Sequence, residues 1–76
     1  MKVAFTSLSS MSENLKIIRA NDLTNIKIIK LHPDAIPYLD CFIDDCQSFG
    51  CSVSINKQLL ADLDILEHFS DRVQIH

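Results

Sequence analysis

One glycine, Gly50, and two prolines, Pro33 and Pro37, serve the whole of this 76-residue chain. So few turn formers leave little length for loops, and most of the chain must be regular structure. The length allows one domain at most, residues 1–76, and folding hides only about 60% of the surface its unfolded form exposes. At that size a core is usually supplemented by disulfides, a metal or self-association. Hydrophobic residues make up 47% of the chain, more than a small interior holds, which points to a homodimer.

Residues 3–8 read as a short strand of mixed burial. Ser10-Met11-Ser12-Glu13 fits a capping box with Ser10 as N-cap. Met11, Leu15 and Ile18 then give a helical stripe that Asn21-Asp22 ends. Residues 25–31 are β-branched and apolar on both parities, the pattern of a central strand covered on both faces. His32-Pro33-Asp34 closes that strand, because the residue before proline avoids helical dihedrals. Asp34 is the expected N-cap of a helix over 34–49, with Pro37 in its first turn, where a missing N–H is no loss. Ile36, Leu39, Phe42, Ile43, Cys46 and Phe49 share one side of that helix, and Asp34, Asp40, Asp44 and Asp45 spread over the opposite arc. Gly50 falls where a left-handed residue should end it.

Residues 51–55 alternate apolar and polar, predicting a strand with one buried face. Asn56 can cap a last helix over 57–69 built on Leu59, Leu63 and Leu66. The alternation of residues 61–65 leaves a strand beside 51–55 as the alternative, although β-branched residues are nearly absent there. Residues 72–75 read as a short closing strand. The resulting order, β-α-β-α-β-α-β, implies crossover units and an α/β fold: a small four-stranded sheet, mainly parallel or mixed. The half-polar face of 51–55 keeps open an α+β alternative with helices on one face.

Residues 1–33 carry five bases against two acids, whereas residues 34–76 carry two bases against eight acids. Such asymmetry bears on partners more than on fold. The bases scatter over a helix and a strand, where Lys27 and Lys30 are expected on opposite faces, with Ile29 between them serving packing. With a net charge of −3, direct nucleic-acid binding is not expected. Cys41, Cys46 and Cys51 are an odd number without a C-x-x-C pair, which argues for a reducing, cytoplasmic setting. The chain start lacks the apolar core of a signal peptide, and no apolar run is long enough for a membrane span.

No motif states a reaction. A single glycine excludes dinucleotide and Walker A loops. Cys41 and Cys46 lie about 140° apart around a helix, so no metal is expected, and the acids beside them disfavour a thiolate nucleophile. No cofactor is implied, and the chain leans away from being an enzyme. The favoured reading is a non-enzymatic protein-interaction module of inhibitor, immunity or regulatory type. Its partner-binding residues are Asp40, Asp44 and Asp45, suited to a protein with a basic surface. The alternative is a small anion- or phosphate-ligand-binding α/β domain, with an enzymatic role left open, and with Ser9, Ser10, Ser12 and His32 at the carboxyl ends of the strands.

Overall fold

The computed structural model describes the backbone of residues 2–75 and the side chains of residues 6–75. Three strands form a parallel sheet in chain order: β1 (Lys2–Thr6), β2 (Asn25–Leu31) and β3 (Ser52–Ile55). The fourth strand expected over 72–75 shrinks to β4 (Gln74–Ile75), a two-residue parallel bridge beside Ser54 and Ile55. The physical reason lies upstream, where Arg72 and Val73 are held in a turn by N–H bonds to the Phe69 carbonyl. The general α/β class therefore stands, without a full fourth strand. The burial expected for residues 3–5 lies outside the described side chains.

Each strand neighbours its predecessor, and crossovers of one hand then put every helix on the same side. A single core joins α1 (Leu8–Ala20), α2 (Leu39–Ser48), α3 (Lys57–Asp62) and α4 (Leu66–Phe69) to Ile26, Ile28, Val53 and Ile55 of the sheet. Crossover topology thus meets the one-sided helix layer of the α+β alternative. β2 is central in strand order, but its second face is uncovered: Ile29 is 48% exposed and Lys30 is exposed.

Helix α1 begins three residues before the expected capping box. Ser7 is the N-cap, its hydroxyl accepting from the Ser10 N–H, while the Ser10 hydroxyl accepts from the Ser7 N–H at 2.8 Å. Serine at the third helical position does the job expected of Glu13. The 34–49 helix is split. Residues Pro33–Tyr38 form a 3₁₀ segment capped by His32, and α2 proper starts at Leu39. Pro37 has no N–H for an α-type bond and its ring crowds the preceding turn, so the segment stays in the tighter form.

The apolar stripe holds where it matters: Leu39, Phe42, Ile43 and Cys46 are buried, the first three each stabilising the fold by about 1.5–3 kcal/mol. Ile36 is half-buried. Phe49 turns outward instead, with the Arg19 guanidinium 5.7 Å from its ring centre.

Three helices end on one device. After α1, α2 and α3 a residue at positive φ follows: Asp22 (52°), Gly50 (79°) and Asp64 (58°). The next N–H reaches back to the carbonyl five residues earlier: Leu23 to Ile18, Cys51 to Cys46 and Ile65 to Leu60. These are Schellman closures, with an apolar residue at each end. Asp64 breaks the single helix expected over 57–69 into α3 and α4. The alternating 61–65 segment is accordingly neither helix throughout nor strand.

Candidate functional site

The acidic residues of α2 are not one free face. Asp40 and Asp44, one turn apart, both engage Arg72 from the approach to β4. Its guanidinium contacts the Asp40 carboxylate and donates to Asp44 Oδ1 at 2.7 Å. His68 Nε2 lies 3.0 Å from Asp40 Oδ2. Arg72 also stands 5.9 Å over Phe69, which packs edge-on against His68. This cluster ties the α4–β4 segment to α2. Arg72 balances one of the two negative charges, so Asp40 and Asp44 are engaged within the chain yet keep part of their charge and exposure.

Asp45 sits apart, on the rim of a groove of about 280 Å³ between α1 and α2. Leu8, Met11, Leu15, Tyr38, Cys41 and Phe42 line most of the rest.

The serine–histidine group is assembled at one end of the sheet, where the sequence places it. The His32 N–H donates to the Thr6 carbonyl at 2.8 Å, and the Ser9 hydroxyl lies 3.1 Å from that of Ser7. Ser12 is a turn further on, in the α1–α2 groove. The anion serving this helix end is internal: Asp34 Oδ1 accepts from the Leu8 N–H at 3.0 Å. His32 orients Asp34, its Nδ1 accepting from the Asp34 N–H at 3.2 Å. A bound phosphate would have to displace that carboxylate.

Among the described residues no three His, Cys, Asp or Glu side chains converge to hold a metal ion. Cys41 is exposed, while Cys46 and Cys51 are buried thiols. Burial pushes the Cys46 thiol up from 9.0 to about 12, with the neighbouring Cys51 and Asp45 adding to the shift. Burial raises Cys51 too. Neither thiol is poised as a nucleophile.

Sequence reasoning missed the surface that the fold leaves open. The sheet register slips between Ala4 and Phe5: Ala4 pairs with Ile28, but Phe5 pairs with Lys30. Ile29 is the extra residue of a β-bulge. Ile28 and Leu31 both face the core, so Ile29 and Lys30 sit consecutively on the outer side. Lys27 pairs with Val3 and Lys30 with Phe5, two positions on one face of β1. The two lysines therefore share the uncovered face, contrary to the opposite faces expected, and Ile29 between them is exposed instead of packed. The signal was present in 26–31: apolar residues alternate at Ile26 and Ile28, then resume out of phase at Ile29 and Leu31.

Across β3 Ser52 is exposed, but Ser54 beside Lys27 is buried, its hydroxyl donating to the Ile26 carbonyl at 3.3 Å, so the exposed patch centres on β2. Among the described residues neither lysine has a carboxylate partner.

No helix among the described residues is long and apolar enough to cross a membrane. No family model, curated protein or solved structure matches this chain.

Proposed function

We propose that this chain is a non-enzymatic protein-interaction module of inhibitor, immunity or regulatory type, and that it docks its partner on the uncovered face of the sheet. One observation carries the reading: helices cover only one side of the sheet, and the bulge in β2 presents Lys27, Ile29 and Lys30 together on the other. An apolar side chain flanked by two unpaired charges supplies both buried area and selectivity in a contact. Of the acidic trio, Asp45 alone keeps an unengaged carboxylate for a basic partner. Self-association and a cytoplasmic setting belong to the same proposal, supported by large exposed apolar side chains such as Leu8, Ile17 and Tyr38 and by unbridged thiols.

The test is cross-linking capture from cell extract with three baits: the native chain, Lys27→Glu with Lys30→Glu, and Asp45→Lys. A protein lost by the double variant and kept by Asp45→Lys supports the sheet face. Loss with Asp45→Lys alone moves the site to α2, and a native chain that holds nothing removes the interaction reading. Reversing Asp40 and Asp44 is a poor probe, because two lysines there would face Arg72 and His68 and loosen the fold itself.

A further inference from the structure

The chemistry of the partner can be read from how charge is distributed between the layers. Every charged residue on a strand is a lysine: Lys2, Lys27 and Lys30. All ten acids lie in the helical segments or the turns, from Glu13 to Asp71. The uncovered face of the sheet therefore presents positive charge with no acid among its strand positions. Its central strand adds an apolar foothold, Ile29, at a place where the backbone is distorted to expose it.

Resting on the docking surface proposed above, we propose that this face binds an acidic protein segment, with carboxylates over Lys27 and Lys30 and an apolar side chain on Ile29. Two further features fit that occupant. The lysines are separated by two residues of bulged strand, so they flank Ile29 on one face instead of alternating away from each other. Ser52 and Gln74, exposed beside this patch, are uncharged and able to hydrogen-bond, as a polar rim requires, while Ser54 between them is buried. Nucleic acid is the less favoured occupant. The basic patch is small, and the chain as a whole is negative at −3, opposing a polyanion at long range more than a short acidic segment.

The experiment titrates the isotope-labelled full chain with a short synthetic peptide carrying a leucine between glutamates. A lysine-substituted version and a single-stranded DNA oligonucleotide serve as comparisons. The acidic peptide should bind saturably at low salt and shift amide signals in 25–31 and 52–55, leaving those of α2 unmoved. Raising ionic strength from low to physiological should weaken binding several-fold, as screening dictates. Lys27→Glu with Lys30→Glu should lower affinity about tenfold or more, and Ile29→Ser should lower it several-fold while keeping the salt dependence. Lys27→Gln with Lys30→Gln serves if the reversed pair fails to fold, and shift mapping on the native chain needs no variant at all.

Binding of the lysine peptide in preference, shifts confined to the helical layer, or no acidic-peptide binding would overturn the proposal. Tighter binding of the oligonucleotide on the same residues would overturn it in favour of a nucleic acid. If the peptide fails while a captured cellular protein is still lost by the double variant, the docking surface stands and only its acidic specificity falls.

Discussion

Replacing Thr6 with valine should stabilise this protein. Thr6 ends β1, pairs with Leu31 and is 0% exposed, and its Oγ1 has no hydrogen-bond partner among the described residues. A hydroxyl buried in that way has lost hydration that costs about 1–3 kcal/mol in proteins. Valine keeps the two branches at Cβ and suits a strand at least as well. The backbone bond at this point, His32 N–H to the Thr6 carbonyl, is untouched. The expected gain is about 1–2 kcal/mol, below the full penalty because residual structure in the unfolded chain shares part of it. In a domain this small each kcal/mol raises Tm by about 4–8 °C. Urea unfolding followed by circular dichroism should show a higher midpoint at unchanged slope. Thr6→Ser keeps the hydroxyl, loses a methyl and should cost about 1 kcal/mol. A valine variant no more stable than the native chain would refute the reasoning, since it would mean that the hydroxyl is satisfied, for instance by a buried water.

Gly50→Ala should destabilise by about 1 kcal/mol: a left-handed residue other than glycine costs about 1–2 kcal/mol, partly offset by lower unfolded-state entropy. A Cβ there meets nothing within 4 Å, so the cost is backbone strain, and Gly50→Asn should cost less in the same urea assay. Arg72→Ala should cost about 1 kcal/mol, because its partners Asp40 and Asp44 are substantially exposed. A double-mutant cycle with Asp44→Asn, repeated at high salt, should show a coupling below about 1 kcal/mol that shrinks with screening. One thiol, Cys41, should react with a thiol reagent in the native state and all three in denaturant, as mass spectrometry would count. The raised thiol of Cys46 also sets an alkaline limit. Between its ordinary value of 9.0 and about 12 the unfolded chain binds fewer protons than the folded one. The contribution of this thiol should therefore be level below pH 9 and fall as pH rises through that window, with the raised Cys51 thiol acting in the same direction. Cys46→Ala should flatten the fall.

Elements set by local chemistry were legible in the sequence. Gly50 as a left-handed stop, Asn56 as an N-cap and the stripe through Leu39, Phe42, Ile43 and Cys46 each follow from a few neighbouring residues, and each is found. What failed depended on competition between similar signals or on contacts distant in sequence. Ser7-x-x-Ser10 and Ser10-x-x-Glu13 both satisfy a cap, and only the end of β1 at Thr6 selects the first. Asp64 adopts positive φ where a helix of good formers would otherwise run on, a choice that the Leu60–Ile65 closure favours. For the candidate site, the acidic residues of α2 were visible but their partners were not, since Arg72 is 28 residues from Asp44. The open face was hidden by period. One bulged residue reverses the alternation of β2, making a strand exposed on one side read as one buried on both.

The same bulge changes the meaning of the charge split. Along the chain, bases precede acids, which resembles a molecule with two ends. In the fold, strands carry lysine and no acid, while helices and turns carry every acid along with Lys16, Arg19, Lys57 and Arg72, so the helical layer is negative on balance and the sheet positive. Layers one helix-to-sheet spacing apart hold opposite charge within about a Debye length of each other. An approaching acidic group therefore meets the sheet face attractively and the helix face repulsively, which sets the orientation of encounter before any contact forms. Two copies meeting sheet to sheet would bring their lysines together around the two Ile29 side chains, a like-charge arrangement that penalises the aggregation an uncovered sheet otherwise invites. The lysines thus exclude a second identical face and admit an acidic one by a single electrostatic rule, and the exposed Ile29 gains a partner only where that rule is met.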